Sequence, residues 1–365
     1  MIKEGKIGVQ EAISLIVITI SIKGYFTSPS FVASILGPAS WYMTLISSMV
    51  ALIGFTVIYL LLKRFPNKGL IEAYEESLGG FFGFIFTIIL FLYLLISTGV
   101  FLREFAETLK IYVLLLTPIS FTIGIFLIIV ASMCFCGLEG LARTARLFAL
   151  GLLGGFLLVI VLASNNYDFH NLLPFWGYGP SKTALYGAAR SSFYGEVAVL
   201  GIIANSLQGL SHLKKAGFTA VIISGLIIAT ALAATMAAFN YRTAEEVVSR
   251  MYELTRLIRI DGFWERLDPL FIFTWCIGTV IHVSFMLYCS ISTYCKAFKI
   301  QDTRPVILPL TIVLFAITML PNDFTTAIDY VKLFRQNGWI IYFGLPLVVL
   351  IIAVIRKKKG VQISA

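Results

Sequence analysis

Two charged residues lie where the sequence is otherwise apolar. Lys23 interrupts the run ISLIVITISIKGYFTSPSFVASILG, followed by Gly24, Tyr25, Phe26, Thr27, Ser28 and Pro29. Glu196 interrupts TALYGAARSSFYGEVAVLGIIANSL, preceded by Ser191, Ser192, Phe193, Tyr194 and Gly195. An ionised side chain in hydrocarbon is costly unless it is paired or hydrated. One base and one acid, each at an interruption, would neutralise each other if the interruptions face. Structural pairing without a ligand role remains the alternative. Gly and Pro in close succession weaken a helix. Backbone groups freed inside a bilayer are tolerated only against a cavity or a ligand. Half-helix N-termini there favour an anionic group such as a carboxylate. The chemistry expected of these residues is binding, with no catalytic residue.

These residues sit in a membrane-spanning architecture. The chain has 365 residues, 59% hydrophobic and only 13% charged, with 14% aromatics. A soluble chain carries nearly twice that charge, and a disordered one far fewer aromatics. A span needs about 20 apolar residues. By that measure about ten helical spans lie near 8–36, 39–62, 79–109, 114–136, 139–163, 182–210, 215–239, 266–296, 304–320 and 338–356. The runs are long and continuous, which excludes a transmembrane barrel. Spans one and six are both broken near their middles. Paired interruptions of this kind point to a transporter-type binding site in an inverted 5+5 repeat. The expected fold is an all-α polytopic membrane protein. Residues 1–365 form one transmembrane domain, with repeats over about 8–163 and 182–320 and a last helix over about 338–356.

The net charge of +9 is spread over short loops and forms no nucleic-acid-binding patch. With an inside N-terminus, inner loops hold 16 of the 28 Lys and Arg against seven acids, a balance of +9. Outer loops hold 10 against 11, a balance of −1. Both termini are therefore expected to be cytoplasmic. Residues 68–78 read as an inner amphipathic helix and 243–260 as an outer one, which packs on the bundle or serves as a lid or docking face. Tyr93, Ser97 and Thr98 in span three are placed to line a pocket opposite the breaks, or to bond between helices. His282 and Ser284 near the centre of span eight invite an ion reading, but no second ligand stands at helical spacing. Arg190, outward of the second break, is a gate candidate or the partner of an external acid. No CxxC pair, Walker loop, GxSxG or HExxH appears. No metal, cofactor or enzymatic activity is expected.

The segments GLEGLARTARLF (137–148) and FWERLDPLFIFTWCIG (263–278) resemble motifs in the B subunits of GerA-type spore germinant receptors, and the resemblance covers essentially the whole chain. It implies the amino acid–polyamine–organocation superfamily fold, similar to LeuT. It implies a site at the breaks of spans one and six, lined also by spans three and eight. It further implies a bacterial spore inner membrane and assembly with an A subunit and a C lipoprotein. Glu139 and Arg143 in the first motif are inner-gate candidates. In the family the first break is small and apolar; Lys23 departs from that, either favouring a ligand with a free carboxylate or standing in for a coupling cation. Two functions follow: an amino acid sensor that signals to partner subunits, or an ion-coupled amino acid permease. A channel is weaker, because the spans lack rings of like charge.

Overall fold

The computed structural model describes residues 5–240, 247–258 and 267–360. The first span runs as α1 (Val9–Ser21), a 3₁₀ turn (Ile22–Tyr25) and α2 (Ser28–Leu36). Thr27 precedes α2, and Pro29 falls in its first turn, where no intrahelical amide donor is required. Sequence and structure agree on this break. Gly37 turns the chain with φ 59°, and α3 (Ser40–Arg64) returns through the bundle. A short amphipathic α4 (Leu70–Leu78) follows, as the 68–78 pattern indicates.

Three long helices come next: α5 (Gly80–Tyr112), α6 (Ile119–Phe135) and α7 (Gly137–Leu162). The sixth span starts as α8 (Pro180–Ala189) and then tightens into 3₁₀ helix over Arg190–Gly201. Such runs are seldom longer than a turn, and a mid-span one marks a functional break. The remaining elements are α9 (Leu210–Ala238), α10 (Arg250–Leu257), α11 (Asp268–Ala297) and α12 (Arg304–Met319). The chain then forms α13 (Phe324–Trp339), a π turn (Ile340–Gly344) and α14 (Leu345–Ile355). Six helical runs are long and apolar enough to cross a membrane; α6 and α12 are shorter apolar helices. With the two broken spans, the described residues contain about ten crossings.

The last span departs from its sequence boundaries. Instead of starting near 338, helix begins at Phe324, where the Asp323 carboxylate accepts the Thr326 amide at 2.7 Å. The segment FTTAIDYVKLFRQNGW is too polar to read as a span, yet it is helical and continues into α14 through the π turn. The outer amphipathic stretch is described only over 247–258, where α10 lies; the rest of 243–260 falls outside the described residues. So do Glu265 and Arg266 of the ERLD motif, while Asp268 opens α11.

The centre of the bundle is built from the broken spans with α3, α5, α9 and α11. Burial follows position: 67% of the apolar window of α9 is buried, against 17% for α7. The uncovered faces carry Leu147, Leu150, Phe121 and Ile128, side chains suited to hydrocarbon. The chain is an integral membrane protein on this pattern. The two ends of the chain share one face. The Ile7 amide donates to the Ser206 carbonyl at 3.0 Å, and the Gly360 amide to the Arg64 carbonyl at 3.1 Å. The first of these bonds ties the start of span one to the end of span six.

Candidate functional site

The two breaks face each other. Lys23 Nζ lies 2.5 Å from Glu196 Oε2 and donates to the Phe193 carbonyl at 2.5 Å. The ammonium also sits 4.6 Å from the centre of the Phe193 ring. Lys23 is 5% exposed and Glu196 7%. The 3₁₀ segment supplies both the carboxylate and a backbone carbonyl to one cation, which offsets the desolvation of the pair. Gly195 is required beside them, because a Cβ there would overlap the Tyr342 ring of the π turn.

A cavity of about 50 Å³ adjoins the pair. Of the residues expected at the site, Lys23, Tyr93, Ser97, Ser192 and Glu196 line it, with Thr98 and His282. The His282 ring packs 3.9 Å from that of Phe101, and its Nδ1 meets the Thr19 carbonyl at 2.8 Å. That carbonyl requires the proton on Nδ1, so His282 is an interhelical donor. Among the described residues no cluster of metal-ligating side chains occurs. Ser284 is buried but does not line the cavity.

Other expected residues take different places. Tyr25 turns away, stacking with Phe156 and meeting the Phe271 ring at a tilt. Phe26 packs among Phe101, Phe105 and Trp275. Tyr194 and Gly24 line a separate void of about 20 Å³. Ser191 is buried without lining the cavity. Thr27 does not face the cavity; its hydroxyl donates to Glu104 Oε1 at 2.5 Å and its amide to the same oxygen at 3.3 Å. Arg190 has no acid partner among the described residues, in contrast to the external pairing considered for it. Its guanidinium lies over the Phe31 and Tyr186 rings. Glu139 pairs with Arg143 on the exposed start of α7, and its side chain lies against Gly5. Both therefore stand at the face that holds the termini.

Two site residues escaped sequence reasoning. Glu104 lies near the end of span three, where its charge enters the outer side of the loop balance, but α5 runs to Tyr112 and holds it fully buried in the cavity wall. Arg335 was counted outside as well, yet α13 carries it inward. Arg335 Nη2 meets Glu104 Oε2 at 2.6 Å, and Nη1 meets Ser28 Oγ at 2.8 Å. The signal for Arg335 was its register: Ala327, Val331 and Gly338 form a buried stripe beside it. Further ties hold α13 down. Ser192 donates to the Arg335 carbonyl, and the Tyr93 hydroxyl donates to the Phe334 carbonyl at 3.2 Å. Gly338 packs so closely that a Cβ would collide with the Tyr93 hydroxyl and press on Ser192.

Helix α13 contributes Val331, Phe334 and Arg335 to the cavity wall, and the Ile7–Ser206 bond joins the two broken spans on the face that holds the termini. A larger cavity of about 710 Å³ opens at the terminal face between α4 and the ends of α9 and α11. It contains neither break residue.

A family model described as "Spore germination protein" matches residues 6–327. Spore germination protein KB of Bacillus subtilis (strain 168) is 27% identical over 336 residues, 89% of each chain. Spore germination protein XB of Bacillus anthracis is 24% identical over 292 residues, 78% of this chain and 79% of the relative. Among solved structures, the substrate-bound outward-open state of a Na+-coupled sialic acid symporter matches with a TM-score of 0.66. That match has 11% identity and covers 95% of this chain and 79% of the symporter. At such identity it shows the fold alone, which is the LeuT-like arrangement with broken helices one and six. Family and fold resemble permeases rather than enzymes. With a family model spanning most of its length, the chain belongs to the spore germination protein family, as its likeness to GerA-type receptor B subunits indicated.

Proposed function

We propose that this protein is the nutrient-sensing membrane subunit of a germinant receptor, one transmembrane domain that binds a small amino acid between the breaks of spans one and six. The observation that carries this reading is the Lys23–Glu196 pair, which joins the breaks beside a small cavity walled by α5, α11 and α13. Small-molecule pockets usually measure about 300–1,000 Å³. A cavity of about 50 Å³ holds water rather than an amino acid. Ligand binding must therefore shift the bundle to a more open state, and that shift is the signal available to partner subunits. The A subunit and C lipoprotein of a germinant receptor are the partners this reading assigns, and the spore inner membrane the location. The charge balance of the loops supports cytoplasmic termini.

An ion-coupled permease is the second reading, favoured by the fold shared with a Na+-coupled symporter. The fixed ammonium of Lys23 in the break disfavours a sodium ion beside it. Purified protein is reconstituted in vesicles and tested with labelled amino acids for both binding and uptake. Binding without uptake is the expected result. Concentrative uptake driven by a proton or sodium gradient would replace the sensor by the permease.

A further inference from the structure

Among the described residues, the cations Lys23, Arg190 and Arg335 and the carboxylates Glu196 and Glu104 stand together at the breaks. Lys23 pairs with Glu196 and Arg335 with Glu104. Arg190 is left over: it is 3% exposed and has no carboxylate partner among the described residues. Its guanidinium reaches only neutral oxygens, the Tyr186 hydroxyl and Ser28 Oγ, each at 3.4 Å. Arg335 Nη1 meets the same Ser28 oxygen at 2.8 Å. A hydroxyl has two lone pairs and one proton. With both guanidinium groups donating to it, Ser28 keeps its proton to give to an acceptor. The adjacent start of α2 is already occupied, since the Thr27 amide and hydroxyl both go to Glu104. A void of about 20 Å³ adjoins Arg190, Ser28 and Phe193, and Arg335 lines the neighbouring cavity beside the Lys23–Glu196 pair, so an anion bound between the two guanidinium groups requires them to part. Two guanidinium groups and one free hydroxyl proton thus converge where only one carboxylate is present.

On the ligand-site reading given above, we propose that Arg190, Ser28 and Arg335 form a subsite for one monovalent anion, the ligand's carboxylate or a free halide. The anion would balance the excess positive charge and receive the Ser28 proton. It would not take the helix N-terminus, which Glu104 fills. Arginine's planar fork suits a carboxylate, and a charge-assisted bond in a dry site is stronger than a neutral one.

Purified full-length protein in neutral-lipid nanodiscs is melted in sodium acetate, in sodium chloride, and in sodium morpholinoethanesulfonate, whose anion is too bulky for the site. Ionic strength is held equal. Acetate is expected to raise Tm saturably over the bulky anion. Arg190→Gln is expected to weaken the apparent acetate affinity by about tenfold or more, while Lys214→Gln, whose ammonium lies over Tyr59 away from the breaks, leaves it unchanged. An equal effect of chloride assigns the subsite to a halide; an effect of acetate alone assigns it to the ligand carboxylate. A Tm indifferent to both anions, or an affinity unchanged by Arg190→Gln, overturns the subsite. If Arg190→Gln does not fold, Arg190→Lys keeps the charge and loses the fork, and unchanged affinity in that variant also overturns it. Labelled amino acid binding on the same samples separates this subsite from the sensor reading. Arg190-dependent stabilisation without amino acid binding keeps the subsite and ends the amino acid assignment. Amino acid binding indifferent to Arg190→Gln keeps the sensor reading and ends the carboxylate assignment, and without Arg190-dependent stabilisation by chloride it ends the subsite as well.

Discussion

Lys23 and Glu196 are 173 residues apart in sequence and 2.5 Å apart in space. Their pairing fixes how the two broken spans sit against each other. Removing one partner of a buried pair costs about 3–5 kcal/mol, because the other is left uncompensated. Lys23→Met and Glu196→Gln should each lower stability on that scale. The double variant should recover most of the loss, with a coupling energy well above zero. Recovery should be incomplete, since Lys23→Met also removes the charged hydrogen bond to the Phe193 carbonyl, a loss of about 1–3 kcal/mol. Thermal unfolding of the four proteins measures this, and additive losses would remove the pairing from the account.

The second ion pair is asymmetric. Glu104 is fully buried, whereas the Arg335 side chain is 11% exposed and has a long stem. Without Glu104, Arg335 can carry its charge toward water. Without Arg335, Glu104 cannot escape. Arg335→Gln should therefore destabilise more than Glu104→Gln, by about 1 kcal/mol or more. The opposite order in thermal or denaturant unfolding would contradict the burial described for Glu104.

Helix α13 closes the cavity through close contact as well as charge. Gly338→Val should push it off Tyr93 and Ser192, since overpacking forces a shift costing about 1–3 kcal/mol. In a cysteine-free background, Ser97→Cys should resist a membrane-impermeant thiol reagent. Adding Gly338→Val should speed its modification by about tenfold, since a barrier lower by about 1.4 kcal/mol gives that factor. Equal rates in the two backgrounds would mean that α13 is not the cover.

The loop charges predict sidedness. Cysteines placed at Lys68 and Lys357 should react only from the cytoplasmic side, and those at Lys182 and Lys332 only from outside. Labelling of Lys68 and Lys182 from one side would contradict the expected orientation and span count.

The sequence was legible where polarity breaks an apolar run. Lys23, Gly24 and Pro29 interrupt the first span, and Ser191, Gly195 and Glu196 the sixth, so both breaks could be located and their charges matched. It was less legible where polarity follows an apolar run or precedes one. Glu104 stands near the end of span three, where its charge counts with those of the outer loop, although the helix runs two turns beyond it and buries it completely. Arg335 lies in a segment too polar to score as a span, although its register with Gly338 carries it to the site. Side-chain direction inside a break was hidden too. Tyr25, Phe26 and Thr27 are consecutive, yet Tyr25 and Phe26 enter aromatic packing while Thr27 binds Glu104. Irregular backbone has no fixed period from which such directions can be read.

The central claim is that ligand binds at the facing breaks. It is tested most directly by equilibrium binding of labelled amino acids to purified wild-type protein and to Ser97→Phe, which places a ring in the cavity wall beside Lys23 and Glu196. The account predicts saturable binding of at least one amino acid by the wild type, lost in Ser97→Phe while the protein remains folded and monodisperse. Undiminished binding in Ser97→Phe, or no binding of any amino acid by the wild type, would contradict it.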